Sequence, residues 1–215
     1  MNTSAAPASA SASVSTRRHD DILLVTIDNP PVNALGVDVR RGLSDAIDAA
    51  EQDAAVKAVV VNGAGRNFLG GADIREFGKP PQAPALPDVC NRIEACSKPV
   101  VAAIHGAALG GGLEVALGAH YRVALGSAKL GLPEVLLGLL PGAGGTQRTP
   151  RLIGAKAALE LMLSGRHIGA QEAAKLGLVD RVVEGEDPAA AGLAYARELI
   201  ASGAAPRRTS EAGAL

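Results

Sequence analysis

The sequence predicts an α/β fold with largely parallel strands, and three observations carry that expectation. Short runs of β-branched and aliphatic residues alternate with stretches of three- and four-residue apolar spacing, the order that strand–helix–strand units require. A length of 215 residues suits one domain with tails and is long enough to bury a real core. The composition is 47% hydrophobic but only 2% aromatic, with no Trp, so Ala, Leu, Val and Ile must build that core.

Each element has its own local reason. The Ala/Ser-rich opening cannot bury enough apolar surface to offset the cost of ordering, so residues 1–18 are expected to be a disordered tail and 19–203 the folded domain. Ile22–Ile27 (ILLVTI) reads as a buried strand closed by Asn29-Pro30-Pro31. Val37–Gln52 places Val39, Leu43, Ala46, Ile47 and Ala50 on one helical face, and Ala58–Val61 is the next strand. Asp88–Cys96 reads as a short helix and Pro99–Ile104 (PVVAAI) as a third buried strand. Gly110-Gly111-Gly112 then opens an apolar helix, Tyr121–Ala124 is a strand, and Pro133 opens a new segment. Ala155–Leu163 and Ala170–Leu176 are helices separated by Ser164-Gly165, with Gly177 as a stop before the apolar run Leu178–Val183. Residues 204–215 are polar and loop-like, a linker-like or truncated end.

Several function classes drop out. A net charge of −1 with no basic block argues against nucleic acid as a partner. The longest apolar candidate, Val100–Ala119, is interrupted by His105, five glycines and Glu114, so no membrane segment is expected. Cys90 and Cys96 are too few for a disulfide framework and read as reduced thiols, which favours the cytoplasm. The four histidines lack metal-like pairing, so no metal site is expected. Neither a dinucleotide nor an NTP phosphate loop occurs, and no serine sits in a nucleophile elbow.

Two glycine turns remain, Gly70-Gly71-Ala72 and Gly110-Gly111-Gly112, each following a strand region. Either alone would serve as a tight turn. Together they can aim bare backbone N–H groups at one oxygen, and the second lies at a helix start, where unpaired amides and the helix dipole favour developing negative charge. Two carboxylates stand nearby in sequence. Glu114 lies just inside the glycine-opened helix and Glu134 follows Pro133 within the apolar run LGLPEVLLGLL. Each alone is an ordinary first-turn acid that complements the dipole. A pair with shifted proton affinities can instead divide acid and base work.

Three blocks carry a resemblance to a known family: GRNFLGGADIREF (65–77), KPVVAAIHGAALGGGLEVALGAHYRVA (98–124) and LGLPEVLLGLLPGAGGTQRTPRLIG (130–154). In this order, with Glu114 and Glu134 20 positions apart, they resemble the signature segments of enoyl-CoA hydratases/isomerases, the crotonase family, over about Ile22 to Val183. The third block and LGAHYR are especially similar to the hydratase half of bifunctional hydratase/3-hydroxyacyl-CoA dehydrogenase enzymes of fatty-acid β-oxidation. The resemblance implies a crotonase-like spiral of β-β-α units with its carboxyl-terminal helical part shortened. It implies hydration of trans-2-enoyl-CoA, with 3-enoyl to 2-enoyl isomerisation or silent acyl-CoA binding as alternatives. The oxyanion amides fall on Ala72 and Gly111, the water-activating acid on Glu114, and the acid exchanging a proton with the alpha carbon on Glu134. Gly70, Ala72, Asp73, Ile74 and Arg75 match the CoA-binding segment, with Arg75 facing phosphate. No cofactor is implied, CoA being part of the substrate; the implied partners are an acyl-CoA thioester and either a homotrimer or fusion to a dehydrogenase part in a longer parent.

Overall fold

A computed structural model describes residues 13–212. Strand β1 (Val14–His19) runs antiparallel to β2 (Ile22–Ile27), from Val14 opposite Ile27 to His19 opposite Ile22, with Asp20 at the turn at φ 56°. This corrects the expectation for residues 13–18, which were assigned to a disordered tail; the rest of that assignment, residues 1–12, lies outside the described residues. The physical reason is that β1 is an edge strand. Only Val14 is fully buried, and backbone pairing to β2 does what apolar side chains would do elsewhere, while Arg17 and Arg18 stay exposed.

Beyond β2 the sheet grows by parallel additions: β3 (Ala58–Gly63), β4 (Val100–Ile104), β6 (Tyr121–Leu125) and β9 (Arg181–Val183), in the order β1-β2-β3-β4-β6-β9. Every residue of β3 and β4 is buried, as continuous aliphatic runs require when both faces of a parallel sheet are covered. Side-chain alternation splits the core accordingly. Val59, Val61, Val100, Ala102 and Ile104 pack towards α1 (Val37–Gln52), α2 (Leu86–Ala95) and α3 (Gly111–Gly118). Val60, Val101, Ala103 and Val123 meet Leu193, Ala196 and Leu199 of α7 (Pro188–Ala201) on the other face. Gly192 lets α7 come this close: a Cβ there would lie 2.5 Å from Val60 Cγ1 and 2.9 Å from Ala103 Cβ.

A second, three-stranded sheet has the order β5-β7-β8, from β5 (Ala107–Leu109), β7 (Lys129–Gly131) and β8 (Ile168–Gly169). Each long strand is thus followed by a short one and then a helical segment. β4, β5 and α3 make one such turn; β6, β7 and the 3-10 turn Pro133–Leu137 make the next. In the two earlier turns the short strand shrinks to single parallel bridges, Leu35 with Ala72 and Leu69 with Ala108. That is the β-β-α spiral the resemblance implies. Helices α4 (Gly145–Ile153), α5 (Ala155–Ser164) and α6 (Ala170–Leu176) complete the chain's descent, with Gly165 at φ 62° and Gly177 at φ 88° ending the last two.

The segment 204–212 is not linker-like, a second correction. Tyr121 Oη donates to Ala205 O at 2.8 Å, Ser210 N donates to Glu94 Oε1 at 2.8 Å, and Thr209 is buried. Polar composition concealed this, because the segment is held by hydrogen bonds to groups far away in sequence rather than by an apolar face. Among the described residues no helix is long and apolar enough to cross a membrane.

Candidate active site

The first glycine turn is pinned from three sides. Leu69 N donates to Ala107 O at 3.1 Å, Gly70 N to Val32 O at 2.8 Å, and Leu35 N to Gly71 O at 2.9 Å. Gly71 takes φ 112°, a conformation open to glycine, and swings the next peptide away from these partners. In the second turn the three glycines do different things. Gly110, at φ 52° and ψ −127°, reverses the chain after β5. Gly112 admits close packing, since a Cβ there would collide with the Leu69 carbonyl. Gly111 keeps a face open: a Cβ on it would stand 3.4 Å from Ala72 N and 2.6 Å from Leu86 Cδ2. The two turns therefore meet at Ala72 and Gly111. Gly111 is the first residue of α3, whose leading amides have no intrahelical acceptor, and among the described residues neither the Ala72 nor the Gly111 N–H has a hydrogen-bond partner.

Both glutamates face this point. Glu114 lies one turn into α3 and is only 2% exposed; its Oε1 accepts from Ala143 N and from Gly145 N, each at 2.7 Å. Burial raises its pKa, while the two backbone N–H groups and the more distant Arg148 charge pull the other way. Glu134 sits on the turn Pro133–Leu137 and is half-buried, with Oε1 3.2 Å from where a Cβ on Gly110 would be. Its Oε2 is buried and, among the described residues, has no hydrogen-bond partner. Burial raises the Glu134 pKa, and the Glu114 charge adds to that rise.

A cavity of about 430 Å3 brings Gly70, Ala72, Ile74, Gly111, Glu114 and Glu134 together. Its mouth is apolar and open: Ile74, Leu137 and Leu140 are 71%, 67% and 74% exposed. The apolar run around Glu134 thus divides: Leu130 and Leu132 before it are core, and Leu137, Leu139 and Leu140 after it form the rim. Asp73 and Arg75, expected alongside these residues, lie beside the cavity instead of lining it. Asp73 caps the 3-10 turn Ile74–Glu76 by accepting the Arg75 N–H at 3.0 Å, and Arg75 Nη2 closes on Asp73 Oδ2 at 2.7 Å. That hydrogen-bonded guanidinium holds the Asp73 pKa below its ordinary value, yet the Arg75 side chain remains 75% exposed.

Sequence reasoning missed the donors at Ala143 and Gly145; the only signal was the repeated glycine of PGAGG, which reads as another turn. Chemically, the site offers two convergent N–H donors for an oxygen that gains charge, and two carboxylates of raised proton affinity within the same apolar enclosure.

A family model described as enoyl-CoA hydratase/isomerase matches residues 17–211. The chain is 53% identical over 189 residues to the peroxisomal bifunctional enzyme of Danio rerio, covering 88% of this chain and 26% of that protein. It is 48% identical to a probable enoyl-CoA hydratase of Bacillus subtilis, covering 74% of this chain and 64% of that one. Among solved structures, DspI of Pseudomonas aeruginosa superposes with a TM-score of 0.84 at 33% identity, covering 89% of this chain and 76% of the other. An enoyl-CoA hydratase of Mycobacterium tuberculosis gives 0.82 at 35% identity, with coverage of 88% and 76%. The chain spans about a quarter of the length of the first curated relatives it matches.

Proposed function

The chain belongs to the enoyl-CoA hydratase/isomerase family, and from that premise we propose that it adds water to trans-2-enoyl-CoA to give 3-hydroxyacyl-CoA, a step of fatty-acid β-oxidation. The observation that carries the reading is that Glu114, Glu134 and the unpartnered N–H groups at Ala72 and Gly111 face one apolar cavity. The thioester oxygen is placed between the two amides, which draws electron density from the double bond and exposes the beta carbon to attack. Glu114, ionised and oriented by Ala143 and Gly145, takes a proton from water as its oxygen bonds to the beta carbon. The electron pair of the double bond moves to the alpha carbon and into the thioester. Glu134, whose raised pKa favours the protonated form, delivers its proton to the alpha carbon. The proton held by Glu114 then returns through solvent to Glu134, so the net change is one water added.

No metal or redox group enters this sequence, and CoA arrives as part of the substrate. The segment from Gly70 to Arg75 supplies the CoA contacts in this reading, with the exposed Arg75 guanidinium facing phosphate. A second reading, transfer of a 3-enoyl double bond to the 2-position, is favoured by one observation: Glu134 has a buried, unpartnered oxygen that can shuttle a proton without Glu114. A cytoplasmic location belongs to the proposal and is supported by the two free, buried cysteines. Fusion to a dehydrogenase part is supported by the matched relatives that are named bifunctional enzymes and of which this chain matches only 25–26%. Assembly as a homotrimer is supported by exposed leucines on two touching elements, Leu136 on the turn Pro133–Leu137 and Leu159 and Leu163 on α5.

The test follows the loss of conjugated enoyl-thioester absorbance with a short trans-2-enoyl-CoA. Turnover by the wild-type chain and its loss in Glu134→Gln are expected. A folded chain that binds CoA and leaves the absorbance unchanged would overturn the proposal.

A further inference from the structure

We propose that Arg148 is a positioning residue for Glu114, acting through the Ala143–Gly145 loop. The inference rests on the hydration reading for its consequence in turnover, and on geometry for its existence.

Arg148 lies in α4 and is 6% exposed. Its guanidinium is gripped on one side: Nη2 donates to Glu94 Oε2 at 2.7 Å and to Asn91 Oδ1 at 2.8 Å, and Nε to Glu94 Oε2 at 3.2 Å. Its remaining nitrogen, Nη1, donates to Ala143 O at 3.1 Å. The same residue, Ala143, presents its N–H to Glu114 Oε1 at 2.7 Å, and Gly145 adds the second N–H from the other side of the loop. One side chain therefore holds the carbonyl of the residue whose amide holds the water-activating acid. Gly144 makes the approach feasible, because it sits at φ 102° and any Cβ there would collide with Arg148 Nη1.

The grip itself is anchored. Glu94 Oε1 accepts from Ser210 N at 2.8 Å, so the carboxyl-terminal segment closes the far side of the pair. A plain staple between α2 and α4 would need only the Glu94–Arg148 contact. The bond to Ala143 O is what a staple does not require, and it aligns the loop towards Glu114.

Charge acts along the same line. The charged or titratable groups facing Glu114 are Arg148 from α4, Glu134 from the turn Pro133–Leu137 and Cys90 from α2. Burial pushes the Cys90 thiol up to about 12, so it is neutral at working pH. Glu134 repels a second negative charge, and of these charged groups Arg148 favours the ionised Glu114, adding to the larger effect of the Gly145 and Ala143 N–H groups. Removing Arg148 should therefore raise the Glu114 pKa and displace the acid limb of kcat to higher pH.

The experiment compares the full chain with Arg148→Met/Glu94→Gln, which leaves no lone buried charge, and with Arg148→Lys, which keeps the charge but not the fork. Glu114 is titrated directly by carbon-13 NMR of labelled glutamate, its signal being the one lost in Glu114→Gln. In the double variant Glu114 should titrate at higher pH, and kcat should fall by about 10²-fold with KM little changed, as misplacement of one catalytic group costs. Arg148→Lys should restore the titration and part of kcat. An unshifted Glu114 in a folded double variant would overturn the proposal. A shifted Glu114 in the double variant, beside a wild-type chain that never hydrates, would leave the role of Arg148 standing and overturn the hydration reading alone.

Discussion

Gly111→Ala should separate catalysis from folding. The added methyl would lie 3.4 Å from Ala72 N, inside the space an oxygen must occupy to sit about 2.7–3.1 Å from both amides. Its one close contact, 2.6 Å to Leu86 Cδ2, is with the mobile end of a leucine that faces the cavity and can turn aside. Gly111 is not in the left-handed region, so alanine meets no backbone strain, and within a helix alanine is favoured over glycine by about 0.5–1 kcal/mol. Stability should therefore be unchanged within about 1 kcal/mol, whereas blocking an oxyanion donor costs about 10²–10³ in kcat, or ~2.7–4 kcal/mol of transition-state stabilisation. The assay pairs thermal unfolding with enoyl-thioester hydration. A folded Gly111→Ala chain that hydrates at more than about a tenth of the wild-type rate would refute the placement of the oxygen between Ala72 and Gly111.

Glu114→Gln should lower hydration by about 10²–10⁴ while sparing 3-enoyl isomerisation, and equal losses measured side by side would contradict the division of labour. For Glu134 the folded state binds its proton more tightly than the unfolded chain, so its contribution to stability is full below the ordinary value of 4.5 and is lost as pH rises through the higher folded value. Glu134→Gln should accordingly melt above wild type at pH 7, by roughly 2–4 °C for each kcal/mol recovered, with the difference vanishing in acid; a lower Tm at pH 7 would oppose this. Gly192→Ala drives a methyl to 2.5 Å from Val60 Cγ1, forcing α7 off the sheet at a cost of about 1–3 kcal/mol in urea unfolding. Arg75→Ala should leave the thermal unfolding midpoint little changed, because the guanidinium end of its pair with Asp73 is exposed, and should raise KM for the CoA thioester; an unchanged KM would contradict a phosphate contact.

The strands Ile22–Ile27 and Val100–Ile104 and the helix Val37–Gln52 were legible because apolar spacing over five or more residues encodes burial. Three-residue strands such as Ala107–Leu109 and Lys129–Gly131 carry too few residues for any period, so the second sheet, which places both glycine turns, had no signature of its own. β1 escaped notice because an edge strand is held by main-chain pairing that no side-chain pattern records. The two glutamates could be singled out from their glycine-rich setting. That Glu114 is held by amides about 30 positions downstream, and those by an arginine bound to Glu94, is a matter of long-range packing with no local trace. The leucines after Glu134 show the opposite case, in which an apolar run does not encode burial: Leu137 and Leu140 stand at the surface because they rim a cavity.

The central claim, that this site places hydroxyl on the beta carbon and a proton on the alpha carbon of one substrate, is tested most directly by running the reaction in deuterium oxide and reading the product by NMR. The expected product is a 3-hydroxyacyl-CoA carrying one deuterium at the alpha carbon, formed by the wild-type chain and not by Glu114→Gln. Recovery of an isomerised or unchanged enoyl thioester without a 3-hydroxyl group would contradict it.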